Sequence, residues 1–576
     1  MKKLLYTVLS ATVLLTSVSA VSRSGKSDIS RNLSTFNQVY KELILNYIDT
    51  LDGNQAMRTA IDAMLSQADP YTEYYSPEEQ EEILSVSSGE YAGIGSVISK
   101  RDSVVVLVEP RWDSPARRAG VRHGDILLAI NGEKVTGDVD IKEVSAKLKG
   151  QPGTEVKLDI RRPYVKDSLK TITIIRGTIK IDPVPYYGYI GDGVGYVNIS
   201  TFNEHTADKV AEAVRSLIAK TEVKSLVLDL RENGGGILEG AVRIVGDFVP
   251  KGTNVVEVRY RDKGNNKTYK TTNHPITTEM PMAVLIDGGT ASSAEILSGA
   301  LQDLDRAVVI GERSYGKGLV QNVRPMPYDG LMKVTTGRYY IPSGRLIQAI
   351  NYSHKSTDNA SERIPDSLTT VFYTAAGRPV RDGGGITPDS VVKTPEMSRL
   401  MYKLLADDWI NNYANRYANT HEAVPDPMKW KVSDEMFEEF VSGIDSVKFN
   451  YELPYDAGIK YLRDAARLEG YLTDSVEAQI KVLSSMLKPD LKRDLKIRHD
   501  DIKQEINRAI GQRYFSEADQ IRRLLDSDST IQVAKHILNS PGRYNTMLQG
   551  PANNAKAKKS ASNKKKSGKD KKGTGK

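Results

Sequence analysis

The stretch that decides the fold is residues 288–297, GGTASSAEIL, which follows the apolar run PMAVLID at residues 281–287. An apolar run that meets glycines and small hydroxyl residues, and then an apolar periodic segment, predicts a strand, a turn and a helix. Ser292 and Glu295 match a capping box, in which the serine caps the helix and the glutamate reaches back to the serine amide. The alternative is that Ser292 is a nucleophile at the mouth of the helix. The surrounding sequence has to decide between the two.

Strands alternate with helices on both sides of this turn, from residue 182 to about residue 395. The strand candidates are VGYVNIS, SLVLDL, MAVLI and AVVIG, and the helix candidates are TADKVAEAVRSLIAK, ILEGAVRIVGDF and SAEILSGALQDL. This alternation is typical of an α/β domain whose central strands are mainly parallel.

Two neighbouring segments carry groups that a serine nucleophile needs. LDLRENGGGILEG places glycines 234–236 at the end of a strand, where consecutive amides can bind a developing oxyanion. VVIGERSYGKGLVQ supplies Lys317, 25 residues after Ser292, and Gln321 four residues later. None of the seven histidines lies between residues 275 and 353, so no histidine in this segment can serve as the usual general base. These features favour a nucleophile that uses a lysine.

A lysine base works only when its amine is neutral. At an ordinary pKa of about 10.4, roughly one lysine in 2,500 is deprotonated at pH 7. Lowering that pKa by about three units costs on the order of 4 kcal/mol, which burial in a dry pocket can supply. A side-chain amide such as that of Gln321 can orient the amine without restoring its charge. The sequence therefore predicts that Lys317 is desolvated beside Ser292.

A β-rich segment precedes the α/β region. YAGIGSVI, followed by DSPARRAGVRHGDILLAINGEKV, resembles a PDZ domain over residues 88–178. The resemblance implies a carboxylate-binding loop with outward amides, beside which a peptide adds as a β-strand, and a helix around residues 144–148 as the other wall of the groove. The alternative is a small β-barrel whose glycines serve only turns. The predicted carboxylate loop consists of Gly93, Ile94, Gly95 and Ser96.

Together the segments GTASSAEILSGALQD, YGKGLVQ and RENGGG, with a PDZ module upstream, resemble the C-terminal processing (tail-specific) serine peptidases. The similarity runs from about residue 35 to residue 395 and includes DPYTEYYSPEE and GGGITPD. It implies a crotonase-like α/β peptidase core in a multidomain α+β protein, with helical N- and C-terminal regions. Two departures are visible, since RENGGG lacks the proline that often precedes the last two glycines and TASSAE replaces the more usual SASASE.

The same resemblance implies a role for each site residue. Ser292 is the nucleophile, Lys317 is the general base and Gln321 positions it. The oxyanion donors are the amides of Ser293 and Gly235. Glu295 and Asp303 are expected to support the structure of the site rather than to take part in its chemistry, and neither a cofactor nor a metal is predicted.

The sequence predicts six segments. They are a signal peptide (1–20), an N-terminal helical region (21–87), the PDZ domain (88–178), the peptidase core (179–395), a C-terminal helical region (396–550) and a disordered lysine-rich tail (551–576). Within the N-terminal region, ADPYTEYYSPEE is expected to break the helical pattern and begin a linker.

Composition narrows the class and the location. The chain of 576 residues has no cysteine, which excludes disulfides, thiolate catalysis and cysteine-bound zinc.

The first twenty residues combine Lys2 and Lys3 with a short apolar run and small residues, as a secretory signal does, and the alternative is an N-terminal membrane anchor. The net charge of +7 comes from the tail, which holds ten lysines and one aspartate, so residues 21–550 carry −4. A nucleic-acid partner is therefore not expected.

The sequence thus predicts an exported, periplasmic or extracellular, endopeptidase that recognises substrate C-termini. The helix-rich flanks indicate self-association or the docking of an adaptor protein. One alternative is a non-catalytic PDZ scaffold on a peptidase-like core, which the presence of both Ser292 and Lys317 disfavours. Acyl-thioester chemistry on the same core is the other, and an export signal argues against it.

Overall fold

The computed structural model describes residues 28–550 except 102, 356–360, 425–427, 446, 447, 450, 452 and 453. The predicted signal peptide and lysine-rich tail lie outside these residues. The chain forms two compact units. The first comprises the described residues up to Gln80 with residues 321–336 and 352–355, and the second comprises the other described residues. No helix in the described ranges has both the length and the apolar character that crossing a membrane requires.

The first unit contains two N-terminal helices and a β-hairpin. Residues 28–46 are helical, and a second helix, Gly53–Leu65, begins where Asp52 Oδ1 accepts the Asn54 amide at 2.8 Å. The hairpin joins residues 321–325 to residues 331–336, and the Met326 amide closes its turn on the Gly330 carbonyl at 2.8 Å. The predicted helical pattern is therefore present in this region.

The segment ADPYTEYYSPEE is not simply a linker, which corrects the sequence-based expectation. Glu73–Tyr75 forms a strand that pairs antiparallel with residues 331–333 of the hairpin. The Thr335 amide also donates to Thr72 Oγ1 at 3.2 Å. The pairing partner lies more than 250 residues away along the chain, so no local pattern could reveal it.

In the second unit, the β-rich module is an antiparallel sheet with two short helices. In sheet order its strands are Ser96–Arg101, Val104–Pro110, Asp125–Ile130, Glu155–Arg161 and Leu169–Ile175, with Glu133–Lys134 beside the third. Glu90–Gly93 pairs with Gly177–Lys180, and the helices are Pro115–Arg118 and Ile141–Leu148. Ser96–Arg101 is an edge strand, so its outer side can accept a further strand.

The predicted peptidase core is built on a six-stranded sheet. In sheet order its strands are Tyr187–Tyr189, Val194–Asn198, Ser225–Asp229, Met282–Ile286, Val308–Gly311 and Ser390–Val391. All neighbours are parallel except the first pair, as the alternation of strands and helices predicts. The multidomain α+β fold class is confirmed.

The two faces of this sheet are covered by different parts of the chain. One face packs on the helices Thr206–Ile218, Leu238–Gly246 and Ser293–Asp303, together with the strand Asn254–Tyr260. The opposite face, which includes Val227, Leu285 and Ile310, packs on residues 525–548 near the C-terminus. Alternate residues along each strand face opposite ways, so both layers are needed to bury the sheet.

Eight helices lie among the described residues between 399 and 524 in the C-terminal region. They are Arg399–Ala406, Trp409–Thr420, Asp434–Ser442, Pro454–Leu468, Asp474–Met486, Leu491–Ile497, His499–Tyr514 and Glu517–Leu524, and they are followed by Ser529–Leu538 and Pro541–Leu548 on the core sheet. The first three, with Leu491–Ile497 and His499–Tyr514, share an apolar core around Leu404, Phe437 and Ile506. This region is therefore helical, with a core of its own.

Candidate active site

Ser292 sits on a strained turn between a strand and a helix. It caps the helix Ser293–Asp303 with φ 56° and ψ −119°, a conformation that costs a residue with a side chain on the order of 1–3 kcal/mol. Surrounding hydrogen bonds hold the turn in place. Asp287 Oδ1 accepts the Thr290 amide at 3.1 Å, and the Ala291 amide donates to the Asn233 carbonyl at 2.9 Å.

Glu295 links the Ser292 turn to the Lys317 loop. Its Oε2 accepts the Ser292 amide at 2.9 Å, as a capping box requires, and the Lys317 amide at 2.8 Å. The two amide nitrogens are therefore separated by no more than the sum of these distances. Its Oε1 accepts the Gly316 amide at 2.7 Å and the Ser314 hydroxyl at 2.5 Å. Burial raises the pKa of Glu295, and these four donors oppose that rise.

The loop that carries Lys317 follows the strand Val308–Gly311 and is fixed on both sides of the lysine. Gly316 has φ 88°, and the Gly318 amide donates to Gln348 Oε1 at 2.7 Å. The Tyr339 hydroxyl donates to the Lys317 carbonyl. Lys317 itself is half-buried. These hydrogen bonds therefore hold the backbone around Lys317, the predicted base, in place.

The glycine turn lies directly against Ser292. A Cβ on Gly235, where φ is 98°, would stand 2.7 Å from Ser292 Cβ and 3.0 Å from the Ser293 nitrogen. The Gly235 amide donates to Asn233 Oδ1 at 2.8 Å, so in this structure it already has an acceptor. Ser293 begins the helix, where a backbone amide has no helical acceptor. Its hydroxyl donates to the Gly236 carbonyl at 2.8 Å and ties the turn to the helix.

Gln321 and Asp303 occupy different settings. Gln321 lies in the strand Leu319–Pro325, and its Nε2 donates to Thr335 Oγ1 at 3.1 Å. Asp303 is buried at the end of the Ser292 helix and pairs with Arg345 at 2.9 Å. The role of Gln321 beside Lys317 stays a prediction.

The predicted carboxylate loop connects Glu90–Gly93 to the edge strand Ser96–Arg101. The Ile94 and Gly95 carbonyls accept the Ala116 and Arg111 amides at 2.8 and 2.9 Å, which fixes the loop. Within the part of the chain that the structure describes, the amides of Ile94 and Gly95 donate no hydrogen bond. Two fixed amides thus remain for an acceptor at the end of the edge strand.

The sequence analysis overlooked Asn233, which organises the glycine turn. Besides accepting the Gly235 amide, its Nδ2 donates to the Ile199 carbonyl at 2.7 Å, and its side chain is fully buried. The signal was present, because an asparagine two residues before a glycine is typical of a turn closed by its own side chain.

Comparison with known proteins gives the class of this α/β core and its β-rich module, a serine peptidase with a PDZ domain. Three family profiles match the chain: peptidase family S41 over residues 193–353, a PDZ domain over residues 106–162, and the C-terminal helical domain of probable PDZ-proteases over residues 400–538. The fold and the domain types predicted from the sequence agree with these matches.

Known relatives give the family. The chain is 32% identical to a carboxy-terminal-processing protease of Bartonella bacilliformis over 340 residues, which is 58% of this chain and 77% of the relative. It is 32% identical to the carboxy-terminal processing protease CtpB of Bacillus subtilis over 333 residues, which is 57% of this chain and 68% of the relative. The solved photosystem II D1 C-terminal processing protease shares 26% identity at a TM-score of 0.36, over 62% of this chain and 86% of that one. The sequence relatives place this chain among the carboxy-terminal processing proteases of peptidase family S41, and it is a serine-type peptidase.

Proposed function

We propose that this peptidase cleaves peptide bonds with Ser292 as nucleophile and Lys317 as general base. The observation that carries the proposal is the shared carboxylate oxygen of Glu295, which accepts the backbone amides of both residues. A serine and a lysine whose backbones are joined in this way stand close enough for their side chains to meet. The positive φ of Ser292 is the kind of strain that functional turns store.

The reaction is acyl transfer. Ser292 Oγ attacks the scissile carbonyl as neutral Lys317 accepts its proton, and Lys317 then returns a proton to the leaving amine. Water then attacks the acyl-enzyme as Lys317 accepts its proton, and Lys317 returns a proton to Ser292 Oγ as the ester bond breaks. Gln321 orients the amine, as the family resemblance implies.

The oxyanion of the tetrahedral intermediate is held by backbone amides. The Ser293 amide at the helix start is one donor, and the helix dipole adds to it. Gly235 is the other, and its N–H exchanges the Asn233 oxygen for the oxyanion when substrate binds. The close approach of Gly235 to Ser292 supports this assignment.

Substrates are proteins with free C-termini, captured by the PDZ domain. The fixed amides of Ile94 and Gly95 bind the terminal carboxylate together with Gly93 and Ser96, and the last residues of the substrate add to the edge strand Ser96–Arg101. Capture raises the effective concentration of upstream peptide bonds near Ser292, so weak PDZ affinity is sufficient. The enzyme works after export, in the periplasm or outside the cell, and the helical regions serve self-association or an adaptor.

The test compares the wild-type protein with Ser292→Ala and Lys317→Ala on an unfolded protein that ends in apolar residues. Only the wild type should cleave it, and amidation of the substrate C-terminus should raise KM. Ser484→Ala, a substitution in the C-terminal helices, serves as the matched serine control and should keep full activity. Cleavage by Ser292→Ala, or a rate limb between pH 6 and 9 that survives Lys317→Ala, would contradict the dyad.

A further inference from the structure

The C-terminal helical region reaches the glycine turn of the active site through one side chain. Asp528 caps the helix Ser529–Leu538, where its Oδ1 accepts the Thr530 amide at 2.9 Å and the Ile531 amide at 3.1 Å. Its other oxygen, Oδ2, pairs with a guanidinium nitrogen of Arg231 at 2.7 Å. One carboxylate therefore joins a helix start on one face of the core sheet to the residue that opens the RENGGG turn.

A second carboxylate, that of Asp229, also holds Arg231. Its Nε and Nη2 donate to Asp229 Oδ1 and Oδ2 at 2.9 and 2.6 Å, a two-pronged contact that fixes the plane of the guanidinium. The Asp229 carboxylate is nearly inaccessible to solvent and also accepts the Tyr196 hydroxyl at 2.8 Å. Among the described residues, Asp528 is the partner of Arg231 that comes from the C-terminal helices, and it adds a second anchor to the guanidinium that Asp229 orients.

The turn that follows Arg231 has little tolerance for displacement. Gly235 packs against Ser292 so closely that a single added carbon would overlap it. The carbonyl of Leu230, just before Arg231, accepts the Thr290 hydroxyl of the Ser292 turn at 2.8 Å. A shift at Arg231 is therefore passed to both turns that form the site. A misplacement of about 1 Å at a reacting centre can cost on the order of 100-fold in rate.

We propose that Asp528 is a positioning residue of the peptidase, acting through Arg231 to hold the oxyanion turn against Ser292. The inference rests on the proposed function, because it takes the 231–236 turn as part of the oxyanion site. Under this proposal, the end of the helical region contributes to kcat in addition to packing on the core sheet.

Asp528→Asn separates this task from helix capping. Asparagine caps a helix as well as aspartate does, so the helix start is kept while the charge opposite Arg231 is removed. We expect kcat to fall about tenfold with KM changed less than about twofold, since remote substrate binding is untouched. Asp490→Asn is the matched control, because Asp490 caps Leu491–Ile497 in the same region through the Arg493 amide. It should leave kcat and KM unchanged.

Arg231→Lys provides the second variant, because lysine keeps the charge but cannot bridge two carboxylates with a planar fork. It should lower kcat at least as much as Asp528→Asn does, and the double variant should be no slower than Arg231→Lys alone. A wild-type kcat for Asp528→Asn, an effect confined to KM, or a double variant that multiplies the two losses would overturn the proposal. Cleavage by Ser292→Ala would instead contradict the dyad, so the two failures are distinguishable.

Discussion

At the scale of single residues, the site depends on a buried carboxylate whose acceptor positions are occupied by donors. Each oxygen of Glu295 accepts two hydrogen bonds, from the amides of Ser292, Gly316 and Lys317 and from the Ser314 hydroxyl. Four donors match the lone-pair capacity of a carboxylate, so its burial is compensated by fixed dipoles. Glu295 thereby holds the Ser292 turn and the Lys317 loop together, and its expected absence from the chemistry stays a prediction.

Gly235→Ala should inactivate the enzyme for a local reason. The new Cβ would approach Ser292 Cβ to 2.7 Å and the Ala291 carbonyl to 2.8 Å, in a backbone conformation with φ 98°. We expect kcat/KM to fall by about 100-fold or more, because the turn must move away from Ser292, the proposed nucleophile. Peptide cleavage assays and urea unfolding of the same preparations give the measurement.

Gly252→Ala is the matched control for this substitution. Gly252 has φ 87°, but a Cβ there meets nothing within 4 Å. It carries the conformational cost of about 1–2 kcal/mol without a clash at the site. It should lower the urea midpoint and leave kcat/KM intact. Equal loss of activity in both variants would show that general destabilisation, and not the contact with Ser292, is responsible.

At the scale of elements, the PDZ domain is packed against the C-terminal helices. Arg122 donates to Asn419 Oδ1 at 3.1 Å, Arg117 donates to the Arg513 carbonyl at 3.1 Å, and Arg101 pairs with Asp408. His123 is half-buried nearby, and its Nδ1 accepts the Glu109 amide at 3.3 Å. Its Nε2 is buried without a hydrogen-bond partner among the described residues. The surroundings of His123 in this contact therefore favour the neutral form of its imidazole.

Acid should weaken the contact through His123. Burial, together with the positive charges of Arg513 and Arg101, lowers the pKa of His123 to about 2. An unfolded histidine has a pKa of about 6.5, so the stabilisation is complete above that pH and is lost as pH falls toward 2. We expect the free energy of unfolding to drop by about 1.4 kcal/mol per pH unit below 6.5, relative to His123→Gln. Urea titrations at pH 7.5, 6.5 and 5.5 provide the test.

An exposed histidine supplies the control for that titration. His205 has a side chain that is 57% exposed, so His205→Gln should track the wild type at every pH. If the wild type and His123→Gln lose stability in parallel from pH 6.5 to 5.5, then His123 is protonated without cost and the contact does not depend on its neutrality.

At the scale of the whole molecule, the sequence predicted what local patterns encode. The alternation of strands and helices predicted the α/β core. The glycine, serine and lysine motifs predicted which segments surround the candidate site. The strand Glu73–Tyr75 was missed because its partner lies in a distant hairpin. The role of residues 525–548 as a layer of the core sheet was also missed, since an amphipathic pattern shows that a helix buries one face but not what it packs on. Non-local packing is the part that local periodicity does not contain.

The second face of the core sheet makes truncation a test of the whole architecture. A chain that ends at residue 516 loses Leu525, Ile531 and Tyr544, and with them the cover of Val227 and Leu285. Each buried apolar side chain that is lost contributes about 1.5–3 kcal/mol, so the summed loss is comparable with the free energy of unfolding of a typical domain, about 5–15 kcal/mol. We expect this chain to lack a cooperative urea transition, whereas a chain that ends at residue 550 should unfold like the full-length protein. If both chains unfold cooperatively at the same midpoint, the C-terminal helices are an appendage and the sheet is stable with one layer of helices.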